Sequence, residues 1–301
     1  MIIDALPSLG DLLVRARSAL DEAGVENAGR EARRLAELAL RVGPAEVLAR
    51  KIGPLAPNEA AAFARLVAAR AARVPFARLE GEREFWSLAF RLVAATLVPR
   101  PETETLVEAA LARIHDRGAA LRILDLGTGS GCLLLALLSE LPRAAGLGVD
   151  RDADALECAR ANAQRLGLAE RTDWRPADWA AGIEDRFDVV LANPPYVAEP
   201  EWETLEPEVR DHDPKLALVA GADGMAAHRR IIPEIPRLLA RSSSFARLRG
   251  LREGGGFACL EIGAGQARAV GGLAAEAGLR VVEIKRDLAG IERCVVLATA
   301  Q

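Results

Sequence analysis

Residues 121–140 constrain the fold more than any other stretch. Leu121-Arg122-Ile123-Leu124-Asp125-Leu126 reads as a buried strand, Gly127-Thr128-Gly129-Ser130-Gly131 as a glycine turn, and residues 132–140 as a helix. Glycines there bring bare main chain against whatever occupies the turn, where a Cβ would collide. The alternation continues with a strand at 145–150, a helix at 153–166, a strand at 187–192, a proline-interrupted helix at 224–240 and a strand at 257–262. Strand and helix taken in turn predict an α/β fold, a parallel sheet wrapped by helices. Residues 280–286 and 293–299 break the rhythm, because the turn at Ala289-Gly290 is too short for a parallel crossover. A closing hairpin is expected, its seventh strand running against the others.

The N-terminal part has a different texture. Over residues 9–73 apolar residues recur three to four apart, at Leu12, Ala16, Ala19 and Ala23, at Leu35, Leu38 and Val42, and at Phe63, Leu66 and Val67. Gly24, Gly43 and the segment from Gly53-Pro54 to Pro57-Asn58 punctuate them, with Asn58 the expected N-cap of the last helix. Residues 74–99 hold short mixed runs around Phe85, Trp86, Phe90 and Val93, read as a β-hairpin or extended connector. The expected division is a small helical domain over 1–73, a β-hairpin connector over 74–100 and the α/β domain over 101–301.

With 301 residues, half of them hydrophobic, the chain can bury a proper core. A net charge of -4 argues against a generally basic nucleic-acid surface. Cys132, Cys158, Cys259 and Cys294 show no C-x-x-C pairing, so neither a zinc site nor a disulfide framework is indicated. The longest apolar run, residues 132–138, is far too short for a bilayer, and Asp4 and Asp11 stand where a leader would be basic. A cytoplasmic protein with no membrane contact is expected.

Two features carry chemistry. The strand at 145–150 ends in Asp150, a carboxylate placed to accept both hydroxyls of a ribose, and Asp178-Trp179 stands where a third strand ends. That pair can bracket an adenine, though a partly buried core Trp fits the sequence too. The dinucleotide pattern G-x-G-x-x-G needs its last glycine where this chain has Cys132, which counts against NAD. The second feature is Asn193-Pro194-Pro195-Tyr196, directly after the apolar strand. Each proline fixes its φ and gives up its N–H, and Pro194 pushes Asn193 towards an extended backbone that presents the carboxamide outward. A planar –NH2 group suits such a pocket: the Asn oxygen and a neighbouring main-chain carbonyl accept its two N–H bonds, and Tyr196 covers a flat face.

Glycine loop, Asp150 and Asn193-Pro194-Pro195-Tyr196 in this order resemble the class I S-adenosylmethionine-dependent methyltransferases. Further segments narrow the resemblance: Arg83-Glu84-Phe85-Trp86-Ser87, Val98-Pro99-Arg100-Pro101-Glu102-Thr103-Glu104, Pro214-Lys215-Leu216-Ala217-Leu218 and Gly221-Ala222-Asp223-Gly224. Together they are similar to the peptide chain release factor glutamine N5-methyltransferase family, the HemK-like proteins, over nearly the whole chain. The resemblance implies a Rossmann-like class I methyltransferase fold, with a mostly parallel seven-stranded sheet and a small N-terminal helical domain. It also implies methylation of the glutamine side chain in the Gly-Gly-Gln motif of class 1 release factors, with S-adenosyl-L-methionine converted to S-adenosyl-L-homocysteine. By the same resemblance Gly127, Thr128, Gly129, Ser130, Gly131, Asp150, Trp179 and Asn193 contact the methyl donor. Asn193, Pro194, Pro195 and Tyr196 hold the glutamine, with Asn193, Pro194 and Tyr196 as the catalytic set. The N-terminal helices would dock the release factor, and a monomer is expected. The stretch 241–253 extends the chain beyond the family pattern as a surface loop.

No general base is needed if Asn193 Oδ1 and the Pro194 carbonyl align an amide nitrogen with an activated methyl, because the proton becomes acidic once the methyl has arrived. His212 and His228 read as surface or packing residues. Arg100 and Glu104 either cover the donor pocket or form an ordinary helix start, and Glu201, Glu203, Glu206 and Glu208 read as a solvated acidic stretch. Rival functions are a ribosomal-protein glutamine methyltransferase, an adenine N6-methyltransferase stacking a flipped base on Tyr196, and a non-catalytic nucleotide-binding module.

Overall fold

The computed structural model describes residues 8–49, 53–240, 251 and 255–300. The chain divides into two compact units: one runs to Gly81 and takes in Glu206–His212, and the other comprises Glu82–Leu205 with the chain from Asp213 onward.

The first unit holds α1 (Leu9–Glu22), α2 (Ala28–Leu40), α3 (Pro44–Ala49), α4 (Pro57–Ala71) and α5 (Phe76–Glu80). A reciprocal capping box starts α1: Ser8 Oγ accepts from the Asp11 N–H at 3.2 Å and Asp11 Oδ2 accepts from the Ser8 N–H at 3.3 Å. Leu9, Leu20, Leu35, Ala36 and Phe63 meet in a closed core. Asn58 is not the cap of α4. Ala56 occupies that position, Pro57 opens the helix where no N–H is needed, and Glu59 accepts from the Ala56 N–H at 3.1 Å. The connector likewise differs from its expected extended form, since residues 76–80 are helical.

The second unit begins with a hairpin of β1 (Glu82–Phe85) and β2 (Leu88–Arg91), in which Phe85 and Phe90 stack edge to face at 6.2 Å between ring centres. Helix α6 (Glu104–Ala112) then leads into β3 (Arg122–Leu126), α7 (Cys132–Glu140), β4 (Ala145–Asp150), α8 (Ala153–Arg165), β5 (Thr172–Pro176), β6 (Val189–Ala192), β7 (Phe257–Glu261), β8 (Leu279–Arg286) and β9 (Glu292–Thr299). The sheet runs β5-β4-β3-β6-β7-β9-β8 with seven strands. Pairing is parallel from β5 through to β7, and β9 runs antiparallel to both β7 and β8, as the short terminal turn requires. Alternate residues point to opposite faces: Ile123, Val189 and Leu191 join one core, while Leu124, Leu126 and Val190 join the other. Both faces are therefore buried.

The expected helix at 224–240 is divided. Ala226–Ile231 is α-helical, Ile232–Glu234 is a 3-10 turn and Ile235–Leu238 resumes the helix, since Pro233 and Pro236 each remove a donor. The surface extension expected at 241–253 lies outside the described residues except for Leu251, which is buried and bridges to Ile114. Among the described residues no helix is long and apolar enough to cross a membrane.

The topology positions the site. From β3 the chain moves outward to β4 and β5, then returns to the other side of β3 at β6. A crevice opens at the carboxyl ends of the strands where the order reverses, the usual place for a ligand in an open α/β sheet.

Candidate functional site

A cavity of about 280 Å3 lies within the second unit at that switch point, near the lower end of the range for small-molecule sites. Its floor is the glycine turn, contributed by Gly127, Thr128, Gly129 and Ser130. Its walls come from Asp150 at the end of β4, Asp178 and Trp179 after β5, and Asn193 and Pro195 after β6. Arg100 and Thr103 close one side, and Pro214, Leu216 and Ala217 another.

The glycines have separate duties. Gly127 has a φ of +71°, and a Cβ there would stand 3.0 Å from Cζ3 of Trp179, so its bareness admits the indole. Gly131 has a φ of +80°, a Cβ there would stand 3.1–3.2 Å from Trp174, Ala159 and Leu135, and the residue is absent from the cavity lining. It lets α7 begin close to α8 and does not face the cavity. The buried amide of Asn162 on α8 donates to the Ser130 carbonyl at 2.9 Å, and its oxygen accepts from Arg91 N–H at 2.9 Å. One side chain thus holds both the glycine turn and the end of the hairpin.

Asp150 also braces the turn. Oδ2 accepts from the Gly129 N–H at 2.9 Å and Oδ1 from the Asp152 N–H at 3.0 Å, which leaves each oxygen a further lone pair for a ligand. Beneath it Asp125 is buried, with Oδ2 accepting from Thr128 Oγ1 at 2.6 Å and Oδ1 unpaired. Burial, opposed by Thr128 and reinforced by the neighbouring Asp150 charge, pushes the Asp125 carboxyl up to about 7. Trp179 adopts a left-handed backbone (φ 56°) at the cavity wall, and Asp178 there forms an ion pair with Arg230.

Asn193 is half-buried where β6 ends. Its Nδ2 donates to Thr103 Oγ1 at 3.2 Å, so the carboxamide is anchored through its nitrogen and keeps Oδ1 as acceptor. Pro195 lines the cavity, whereas the buried Pro194 and the half-buried Tyr196 are not among its lining residues. Burial, reinforced by the neighbouring Glu261 carboxyl, pushes the Tyr196 hydroxyl well above the usual phenol range. Its carbonyl accepts from Gln266 Nε2 at 2.9 Å, and a Cβ on Gly224 would stand 2.2 Å from that same oxygen.

Other sequence expectations divide. Arg100 lines the cavity and bonds the buried carboxylate of Asp213, tying together the segments on either side of the opening. Glu104 does not reach the cavity, because its Oε1 accepts from the Trp86 N–H at 2.8 Å. His228 is a packing residue, fully buried with Nε2 2.9 Å from the Glu261 carbonyl, and burial lowers its pKa so that it stays neutral. Sequence reasoning singled out neither Glu261 nor Asn162 and left Thr103 and Leu216 inside longer motifs. The usable signal for Glu261 was a carboxylate ending an otherwise apolar strand.

Comparison with known proteins places this geometry in context. Residues 103–206 match the family model for the methyltransferase small domain, and residues 11–81 match the PrmC N-terminal domain. The chain is 44% identical to the release factor glutamine methyltransferase of Rhodospirillum rubrum, over 96% of this chain and 84% of that one. It is 45% identical to the enzyme of the same name from Cereibacter sphaeroides, covering 95% and 96% of the two chains. Among solved structures, the hMettl16 catalytic domain in complex with MAT2A 3'UTR hairpin 6 superposes with a TM-score of 0.54 at 17% identity, over 78% of this chain and 81% of that one. At that identity the likeness shows the fold alone.

Proposed function

The chain belongs to the release factor glutamine methyltransferase family, and from that premise we propose how its own residues perform the transfer. It methylates N5 of the glutamine in the Gly-Gly-Gln motif of class 1 release factors. The observation that carries the assignment of roles is the anchoring of Asn193 through Nδ2, which reserves Oδ1 for a donor group arriving at the cavity.

S-adenosylmethionine, when bound, supplies a methyl already activated by its sulfonium. The residues fit such a group. The bare main chain of Gly127, Thr128, Gly129 and Ser130 accommodates it closely, Asp150 offers carboxylate lone pairs to ribose hydroxyls, and the Trp179 indole against Gly127 offers an apolar face. Gly131 supports this set from outside by packing α7.

An amide nitrogen is a weak nucleophile because its lone pair is delocalised. Asn193 Oδ1 and the Pro194 carbonyl would each accept one N–H of the glutamine amide, which raises electron density on nitrogen and aims its out-of-plane lobe at the methyl. Tyr196 braces the tetrapeptide through its carbonyl, which accepts from Gln266. As the N–C bond forms and the C–S bond breaks, the nitrogen proton becomes acidic and passes to solvent without a dedicated base. The helices of residues 1–73 dock the release factor, the connector over 74–100 joins them to the catalytic domain over 101–301, and the chain works as a monomer in the cytoplasm, where termination occurs.

Radiolabelled methyl transfer to purified release factor tests the reading. Label should appear in the native factor, vanish with a Gln→Ala factor, and fall by at least about 100-fold with Asn193→Ala, the size of effect expected when a preorganised acceptor is removed. Labelling of nucleic acid in place of the factor, or an Asn193→Ala enzyme of wild-type rate, would overturn it.

A further inference from the structure

Asn193 works only if its carboxamide presents oxygen to the incoming amide, and a carboxamide is nearly symmetric in shape. Something must distinguish the two orientations. Its bonded neighbour, Thr103 Oγ1, does not do so alone, because a hydroxyl can accept from Nδ2 or donate to Oδ1. The direction is set one step further back. Glu261, at the end of β7, is 1% exposed, and its carboxyl neighbours the hydroxyls of Thr103 and Tyr196. Its Oε2 is buried with no hydrogen-bond partner in the structure, so the group is short of donors. An ionised carboxylate is acceptor-only and draws the hydrogen of a neighbouring hydroxyl towards itself. Thr103 Oγ1 is then left to accept, and only Nδ2 of Asn193 satisfies it, at 3.2 Å.

We infer that Glu261 is a positioning residue for methyl transfer, fixing through Thr103 the carboxamide orientation in which Asn193 Oδ1 faces the acceptor nitrogen. The inference rests on the role proposed above for Asn193 and adds what decides its polarity. With Glu261 protonated, the carboxyl can donate to Thr103, the threonine hydrogen turns towards Asn193, and the carboxamide flips to present –NH2 to the substrate –NH2. Two donors then face each other and the acceptor nitrogen is misaligned.

Several groups act on Glu261. Arg293 of β9 favours its ionised form, while Glu102, beside Thr103, opposes it. Tyr196 approaches from the segment after β6, His228 contributes a neutral imidazole against the main-chain carbonyl, and the thiols of Cys132 and Cys294 stay protonated nearby. Burial prevails and raises the Glu261 carboxyl to about 7. The active, ionised form is therefore present above neutrality and lost as pH falls through it.

The test is the pH dependence of single-turnover methyl transfer to purified release factor, from about pH 5.5 to 9, for wild type, Glu261→Gln, Thr103→Val and Thr103→Ser. Wild type should lose rate below about pH 7, roughly tenfold per pH unit once the group is protonated. Glu261→Gln cannot titrate, so its profile should be flat across that window. Thr103→Val should lower the rate constant about 10- to 100-fold, the loss expected for a severed orienting hydrogen bond, and Thr103→Ser should restore most of it. Circular dichroism melting of each variant verifies folding, and a misfolded Thr103→Val leaves the decision to the Glu261→Gln profile and the serine variant. A wild-type acid limb retained unchanged in Glu261→Gln, or a folded Thr103→Val at wild-type rate, would overturn the relay even if Asn193→Ala is inactive. An active Asn193→Ala would instead sink the underlying role of Asn193.

Discussion

Single atoms decide much of this site. Gly224 belongs to a motif 28 residues beyond Tyr196, counted along the chain, yet its missing Cβ is what leaves room for the Tyr196 carbonyl. Gly224→Ala would place a methyl 2.2 Å from that oxygen at a φ of +72°. We expect a loss of about 2–4 kcal/mol in urea denaturation, since a backbone clash and a left-handed alanine are combined. Asp125 is the other residue-scale lever. Unfolded, its carboxyl holds a proton only below about 4; folded, burial keeps the proton on until about 7. Between those values the native state binds the extra proton, so the contribution of Asp125 to stability falls as pH rises through that window and is fully lost above it. Asp125→Asn cannot ionise, and its melting temperature should decline less between about pH 4.5 and 7.5 than that of wild type. Neither role was legible locally: Asp125 reads as one polar residue in an apolar strand until β4 and Asp150 close over it.

Among the elements, the hairpin shows how a tertiary contact can support an unfavourable turn. Trp86 and Ser87 both have positive φ, 53° and 58°, where hairpins prefer Asn-Gly. The Glu104 carboxylate compensates by accepting the Trp86 N–H at 2.8 Å, and Trp86 Nε1 donates to Glu140 at 2.9 Å. Ser87→Gly removes the left-handed penalty at a position that makes no such bond, and should raise stability by about 0.5–1 kcal/mol in thermal or chemical unfolding. The hairpin itself was legible from its aromatics, whereas the helix over 76–80 was not. Five residues give too short a period to register, and Phe76 and Leu79 among them are ordered by packing on the helical core. The central strands β3, β6 and β7 were legible almost residue by residue because burial on both faces demands apolar runs, whereas β5, with one buried residue in five, was marked only by where it ends.

On the scale of the molecule, the helical unit recruits Glu206–His212 from far along the chain. Arg70, almost buried, donates to Glu31 at 2.9 Å and to Glu208 at 3.1 Å, and Arg73 donates to Glu208 at 2.6 Å. Glu208, expected to be a solvated acid, is instead the centre of an ion-pair network, and its two arginine partners hold its pKa below the usual carboxylate range against the cost of burial. A double-mutant cycle of Arg70→Ala and Glu208→Ala should show a coupling of about 1–3 kcal/mol at pH 7, shrinking in acid as Glu208 takes up a proton; additive effects would refute the network. Read alone, the order of residues settles the α/β class, the closing antiparallel strand and the neighbourhood of Gly127, Asp150 and Asn193, because periodicity, glycine and proline act through local sterics. Tertiary structure decides which of those residues face the cavity, that Gly131 and Tyr196 are not among its lining, and that Thr103 bonds Asn193. Those outcomes depend on burial and on partners far apart along the chain, 90 positions for Asn193 and Thr103, and desolvation and hydrogen-bond direction exist only once such partners have met.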